Sequence, residues 1–230
     1  MESEDAIKEM NQKKGASDLN DRLLAAWEIA SVTATFLIAE WVVLPFAANS
    51  KLVFAILIVL ALGLMLLSHH ARGETARVIG WRVDNFFHAV KLLLIPTIII
   101  AALFVGLGLL MKSLRFDRAQ VIEWSLTLPL WGLAQQYVLQ GFINRRAQEL
   151  YGQGWLSVLL VAGIFALLHL PNPWLTVFTF LGGAVWAYVY QRAPNLLALA
   201  LSHALMSMML ALSLPPTTIN SLRVGIKYFG

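Results

Sequence analysis

The chain contains no cysteine. It therefore has no disulfide, no thiolate nucleophile and no thiolate metal ligand, and a transition metal could be held only by imidazole, carboxylate or amide oxygen. Charge is scarce as well: Asp, Glu, Lys and Arg make up 13% of the 230 residues, where a soluble domain carries about a quarter. Carboxylates thin out most in the second half, in which Glu149 is the only one after Glu123. No apolar stretch followed by a small-residue cleavage site opens the chain, so no signal peptide is expected. With 59% apolar residues and a mean hydropathy of +0.70, these absences exclude a soluble enzyme, a disordered chain and a disulfide-stapled secreted domain.

What is abundant is long apolar sequence. Runs close to the roughly 20 residues that a helix needs to cross a bilayer occupy 24–46, 51–68, 86–111, 125–144, 155–171, 174–191 and 196–214. The expected fold is all-α, a multi-pass transmembrane helix bundle of about seven spans. The net charge of +4 does not signal nucleic acid, because the basic residues sit in short patches between apolar runs. The lipid bilayer is the expected partner. Loops on the side of the N-terminus hold most of the Lys and Arg, including Arg72, Arg77, Arg82, Arg145, Arg146 and Arg192. That bias predicts a cytoplasmic N-terminus in a plasma (inner) membrane. The chain divides into a polar tail at 1–22, expected to be partly disordered, N-terminal transmembrane helices at 23–119, a helical core at 120–214 and a C-terminal tail at 215–230. Trp81, Trp124, Trp155 and Trp174 fall at span ends, where an indole buries its body and wets its N–H. The Gly182-Gly183 pair suits close helix packing.

Polar side chains at membrane depth are costly and normally face the bundle interior, so they locate the candidate site. The fourth run carries Gln135, Gln136 and Gln140, the fifth Phe165 and His169, and the seventh His203 and Ser207. A spacing of four puts Gln136 with Gln140, Phe165 with His169 and His203 with Ser207 on one helix face each. Three helices could converge on one polar pocket, although each residue alone is commonly interhelical glue worth about 1 kcal/mol or less. Glu28 and Glu40 lie inside the first run and require a reason. Glu40 could reach the pocket, against a snorkelling or locally paired role. Glu149 is expected to pair at the surface with Arg145 and Arg146.

The motifs resemble the CAAX prenyl endopeptidase and bacteriocin-processing superfamily, the ABI or CPBP intramembrane proteases, with the pattern Glu-Glu-x-x-x-Arg-Gly, Phe-x-x-x-His, then His-x-x-x-Asn or Asp. Here the first motif reads Gln135-Gln136-x-x-x-Gln140-Gly141, the second Phe165-x-x-x-His169 followed by Leu-Pro-Asn, and the third His203-x-x-x-Ser207. Ile79-Gly80-Trp81-Arg82 also resembles the segment that precedes the family's core. The resemblance implies a site built from Gln135, Gln136, Gln140, His169, His203 and Ser207. It also implies a mechanism in which the glutamates and histidines activate water, directly or through a metal, while the last Asn or Asp polarises the scissile carbonyl.

The departures bear on that mechanism. A neutral amide cannot accept a proton near pH 7, so neither Gln135 nor Gln136 can be the general base. The arginine has been replaced together with the carboxylates, which avoids a buried unpaired charge and predicts a neutral Gln-Gln-Gln network of similar shape. No cofactor is expected; zinc is disfavoured, because two histidines with no thiolate or nearby carboxylate fall short of the three ligands a catalytic site uses. A small transporter ranks last, for want of paired broken helices and an inverted repeat, and two other readings stay open. One is an intramembrane endopeptidase acting on a membrane-associated peptide or protein, with His169 or His203 as base. The other is a non-catalytic relative, a pseudoprotease that binds such a segment.

Overall fold

The computed structural model describes residues 2–47 and 49–230, without the side chains of residues 2–14 and 16. Helix occupies all seven apolar runs, the fifth only as far as Leu167, and there is no strand among the described residues. Helix α1 spans Glu2–Ile38 and continues through a widened π turn at Ala39–Val43 to Phe46. Helices α2 (Ser50–Ala71) and α3 (Phe86–Leu110) follow. Helix α4 (Arg118–Gln136) runs through a π-helical segment, Tyr137–Asn144, into α5 (Arg145–Tyr151). Helices α6 (Trp155–Leu167), α7 (Pro173–Arg192) and α8 (Leu196–Ser213) complete the bundle. Two short 3-10 turns, Asn220–Leu222 and Gly225–Phe229, close the described chain.

Among the described residues four stretches are long and apolar enough to cross a membrane: Ser17–Phe46, Ser50–Ala71, Phe86–Leu110 and Leu196–Ser213. The other three runs fall on α4 and α7, which carry more polar side chains, and on α6, which is only 13 residues long. The polar lead-in differs from its expected disorder. Its backbone is helical from Glu2 and continuous with the first span, as suits a segment rich in Glu, Lys, Gln, Met and Ala. The charges of Lys8, Lys13 and Lys14 used in the orientation count lie outside the described side chains.

Helices α6 and α7 form an antiparallel hairpin, α8 lies along α4 and α3, and α1 packs on α5 and α2. Small residues set two close approaches. A Cβ on Gly132 would stand 3.0 Å from the Ala200 carbonyl oxygen, so α4 and α8 approach backbone to backbone. A Cβ on Gly183 would stand 3.2 Å from Ala162 Cα, which makes Gly183 the packing member of the glycine pair. Gly182 instead lies beneath Trp186.

Asparagines fix the turns that aim the site helices. Asn172 caps α7 by accepting from Leu175 N at 3.2 Å, with Pro173 supplying the preset first helical residue. Asn195 caps α8 by accepting from Ala198 N at 2.9 Å and donates to the Arg82 carbonyl at 2.7 Å. The segment Ile79 to Arg82 is thereby docked onto the α7–α8 turn, where Leu196 N donates to Gly80 O at 2.9 Å and Tyr190 Oη to Ile79 O at 2.7 Å. Gly80 adopts φ +106 with Leu196 and Tyr190 each 3.3 Å from where its Cβ would be, so a side chain there meets both strain and contact.

One end of the bundle is tied by ions. Arg146 is fully buried and lies 2.8 Å from Glu74, 2.7 Å from Glu149 and 3.0 Å from Glu28, the last without hydrogen-bond alignment. Arg72 bridges Glu28 at 2.9 Å and Glu149 at 3.2 Å, while Arg145 and His69 both close on Glu74. Glu28 is thus a paired group that ties α1 to α2 and α5. Glu149 takes Arg146 and Arg72 as partners; Arg145 is drawn away to Glu74, because the α2–α3 connection brings that carboxylate between the two arginines.

Removing one member of such a cluster leaves the others buried without a counter-charge. Arg146→Met is expected to lower stability by about 3–5 kcal/mol, read as a loss in thermal unfolding in detergent. Burial alone would raise the Glu74 carboxyl, but hydrogen bonds from His69, Arg146 and Arg145 outweigh it and hold the group well below the ordinary carboxylate value of 4.5. Its contribution is therefore full above pH 4.5 and is lost progressively as pH falls below that value. The melting temperature should fall on acidification through this window, and Glu74→Gln should flatten the slope.

Candidate functional site

A cavity of about 260 Å³ opens between α3, α4, α7 and α8, and its walls are largely apolar, with Phe104, Trp131, Leu175, Phe178, Met206 and Leu210 prominent. Its polar lining comprises Gln135, His169, Thr179, His203 and Ser207. Four of the six residues singled out in the sequence therefore face one space from three parts of the fold. A cavity of this size is at the low end for ligand pockets, room for one large apolar side chain or a short chain segment with its adjoining amide.

The histidines are held differently. His169 lies just beyond the end of α6, in the turn that leads through Pro171 to Asn172, so the fifth run stops being helical before it. Its Nδ1 is 2.7 Å from the Phe165 carbonyl oxygen, and its ring meets the Phe165 ring edge-on at 4.7 Å. His203 is buried on α8, with Ser207 one turn further along, as the spacing predicts. Its ring stacks on Trp186 at 4.5 Å and meets Phe165 at 5.8 Å, so Phe165 stands against both imidazoles. Trp186 is itself fixed, since its Nε1 donates to Ser202 Oγ at 3.2 Å and Ser202 shares a 2.9 Å hydrogen bond with Thr97 of α3.

The three glutamines diverge. Gln135 faces the cavity; Gln136 is fully buried behind it, its Nε2 3.2 Å from His203 Nδ1. Gln140 is fully buried elsewhere and accepts from Asn144 Nδ2 at 2.7 Å. No side-chain hydrogen bond links the three among the described residues, which corrects the expectation of a single Gln-Gln-Gln network. The causes are local: Gln135 and Gln136, as neighbours, point about 100° apart around the helix, and the π-helical segment from Tyr137 to Asn144 widens the turn where the four-residue spacing of Gln136 and Gln140 assumed a regular α-helix. Gln136 Oε1 and Gln140 Nε2 have no protein hydrogen-bond partner.

Sequence reading missed Asn144 and Gln191. Asn144 Oδ1 accepts from Gln191 Nε2 at 3.1 Å and from Gln148 Nε2 at 3.1 Å, and Gln191 also donates to Ser157 at 2.9 Å. The signal that could have found them is the same one used for the others, an amide near the end of an apolar run. Glu40 does not line the cavity; it packs beside Gly225 of the C-terminal turn. Among the described residues no group of three or more His, Asp or Glu side chains is placed to hold a metal.

These hydrogen bonds assign proton positions in the neutral rings. A carbonyl can only accept, so His169 carries its proton on Nδ1 and offers Nε2 as an acceptor. The Gln136 amide turns its nitrogen toward the ring, and in that orientation His203 accepts at Nδ1 and carries its proton on Nε2.

The comparisons with known proteins match this region. Residues 117–209, less than half of the chain, match the family model described as Type II CAAX prenyl endopeptidase Rce1-like. No curated protein and no solved structure matches the chain. The resemblance seen in the motifs thus holds over the segment that carries them, within a helical bundle of integral membrane character.

Nitrogen chemical shifts test the proton assignment directly. The His169 and His203 rings should show opposite tautomers in detergent-solubilised protein, and Gln136→Glu should convert His203 to the Nδ1-protonated form, because a carboxylate accepts where the amide donates.

Proposed function

We propose, from the Rce1-like match over residues 117–209 and the neutral lining of the cavity, that this is a CAAX-protease-type membrane protein that binds a membrane-associated peptide or protein segment without the carboxylate-activated water of that type. One observation carries the proposal: His169 and His203 line the cavity with no carboxylate in its wall, and with the rings protonated as above they offer it a donor at His203 Nε2 and an acceptor at His169 Nε2. A backbone amide offers the complement, a carbonyl for His203 and an N–H for His169, while the apolar walls take the neighbouring side chain. Gln135 and Ser207 add further neutral partners for the same segment.

Metal fits this lining poorly. The donors are two imidazoles, amide oxygens and hydroxyls, whereas a catalytic zinc site needs three strong ligands.

A second reading has its own support. With its Nδ1–H tied to Phe165 O, His169 has a free Nε2 lone pair that could take a proton from water, and His203 Nε2–H could stabilise the oxyanion. Without a carboxylate to stabilise the resulting imidazolium, hydrolysis by this route would be slow.

The two readings separate in one assay. Purified protein in liposomes is titrated with a library of apolar membrane peptides, and both retention and cleavage are followed. Saturable retention without cleavage is expected, weakened about 5- to 10-fold by His203→Ala and by His169→Ala, the loss of one hydrogen bond each. Turnover that disappears in His169→Ala would establish the hydrolytic reading instead, and absence of both retention and turnover would end the peptide assignment.

A further inference from the structure

A second pocket, of about 270 Å³, lies where α6 begins and α7 ends, and it shares no lining residue with the central cavity. Gln153, Trp155, Tyr188, Gln191 and Arg192 form it, with Val158 beneath. The Arg192 guanidinium sits 3.4 Å above the centre of the Tyr188 ring, and that ring stacks on Trp155 at 5.4 Å with 24° between planes. This three-layer stack holds the cation at the pocket wall. Arg192 has no carboxylate partner among the described residues, and only one contact, to the Tyr188 carbonyl at 3.3 Å, uses its donors. The remaining N–H groups of the planar fork are available to an anion.

The floor is rigid. Gln191 accepts from Gly154 N at 2.9 Å and donates to Asn144 and Ser157, so its amide cannot turn to neutralise the cation or fill the space. The rim is apolar on one side: beyond Trp155, which is 64% exposed, Leu156 and Leu159 stand 67% and 47% exposed along α6. The pocket sits at the first residue of one apolar helix and the last of another, the position at which Trp and Arg anchor helix ends to lipid headgroups.

We propose that this pocket holds the phosphodiester headgroup of a membrane phospholipid, with Arg192 on the phosphate, Gln153 beside it and the acyl chains running down past Leu156 and Leu159. The planar guanidinium suits two phosphate oxygens at once, and the apolar strip continuing from the rim selects a lipid over a soluble phosphate. Nothing in this assignment depends on what occupies the central cavity.

The test uses Trp155 as the reporter, its emission isolated as the difference between the parent protein and Trp155→Phe in mixed micelles. Phosphatidylglycerol and phosphatidylcholine with brominated acyl chains are titrated in, with glycerol phosphate as the soluble competitor. Quenching is expected to saturate, and Arg192→Gln should raise the half-saturating lipid fraction about fivefold, the contribution of one cation near a membrane surface. Arg192→Lys should recover part of the loss, and unfolding curves of both variants verify that the exposed substitution leaves the fold intact. Quenching that rises without saturation, or an Arg192→Gln titration that overlays the parent, would overturn the proposal. So would displacement of the brominated lipid by millimolar glycerol phosphate, which would assign the pocket to a soluble phosphate.

Discussion

Inside a bilayer core a polar side chain has no water to satisfy it, and the interior of this bundle is arranged around that constraint. Three sets of partners answer it. Gln136 reaches His203. Thr97, Ser202 and the Trp186 indole satisfy one another across α3, α8 and α7. Gln140, Asn144, Gln191 and Ser157 form a chain that ends at the backbone of Gly154. These are the contacts through which apolar helices with little hydrophobic reason to prefer one neighbour over another acquire a unique arrangement. The cavity exists because the helices so fixed leave a gap, and its two histidines line it with Phe165 packed against both rings and Trp186 against that of His203.

Ions and neutral amides are kept apart. Arg72, Arg145 and Arg146 meet Glu28, Glu74 and Glu149 at one end of the bundle, with Ser68 Oγ accepting from Arg146 at 2.9 Å. Equal numbers of each sign let a fully buried guanidinium persist there. Nothing comparable lines the cavity, where a carboxylate would face imidazoles, an amide and hydroxyls with no counter-ion. Exchanging carboxylates and arginine together for glutamines is consistent with that environment, since each neutral side chain finds at least one partner or a polar space without a counter-ion.

The all-helical bundle could be read from the sequence because seven apolar runs leave little else possible, and the pocket could be read because His169, His203, Gln135 and Ser207 are expensive anywhere but inside. What was not legible follows from geometry that spacing does not encode. The pairing of Gln136 with Gln140 assumed a 3.6-residue repeat, which the π-helical segment abolishes. His169 was placed on a helix that stops at Leu167. Glu28 stood out as a charge in a span, but its partners Arg72 and Arg146 lie 44 and 118 positions away in the chain, so only the fold could supply them. Asn144 and Gln191 escaped because each is a single amide near a run's end, where solvent exposure is the commoner fate.

The divergence of the glutamines means that positions 135 and 136 are not equivalent, although they are neighbours in one motif. A carboxylate at 135 would face the cavity and whatever occupies it. One at 136 would be fully buried and would meet only the Nδ1 edge of His203. The first could activate a water beside a bound amide; the second could only change which face of the imidazole carries the proton. With the glutamine nitrogen turned to its ring, His203 presents its N–H to the cavity, and with glutamate it would present a lone pair. A single side chain outside the cavity therefore determines the polarity of one inside it, and the neutral form at both positions yields a cavity complementary to an intact amide group.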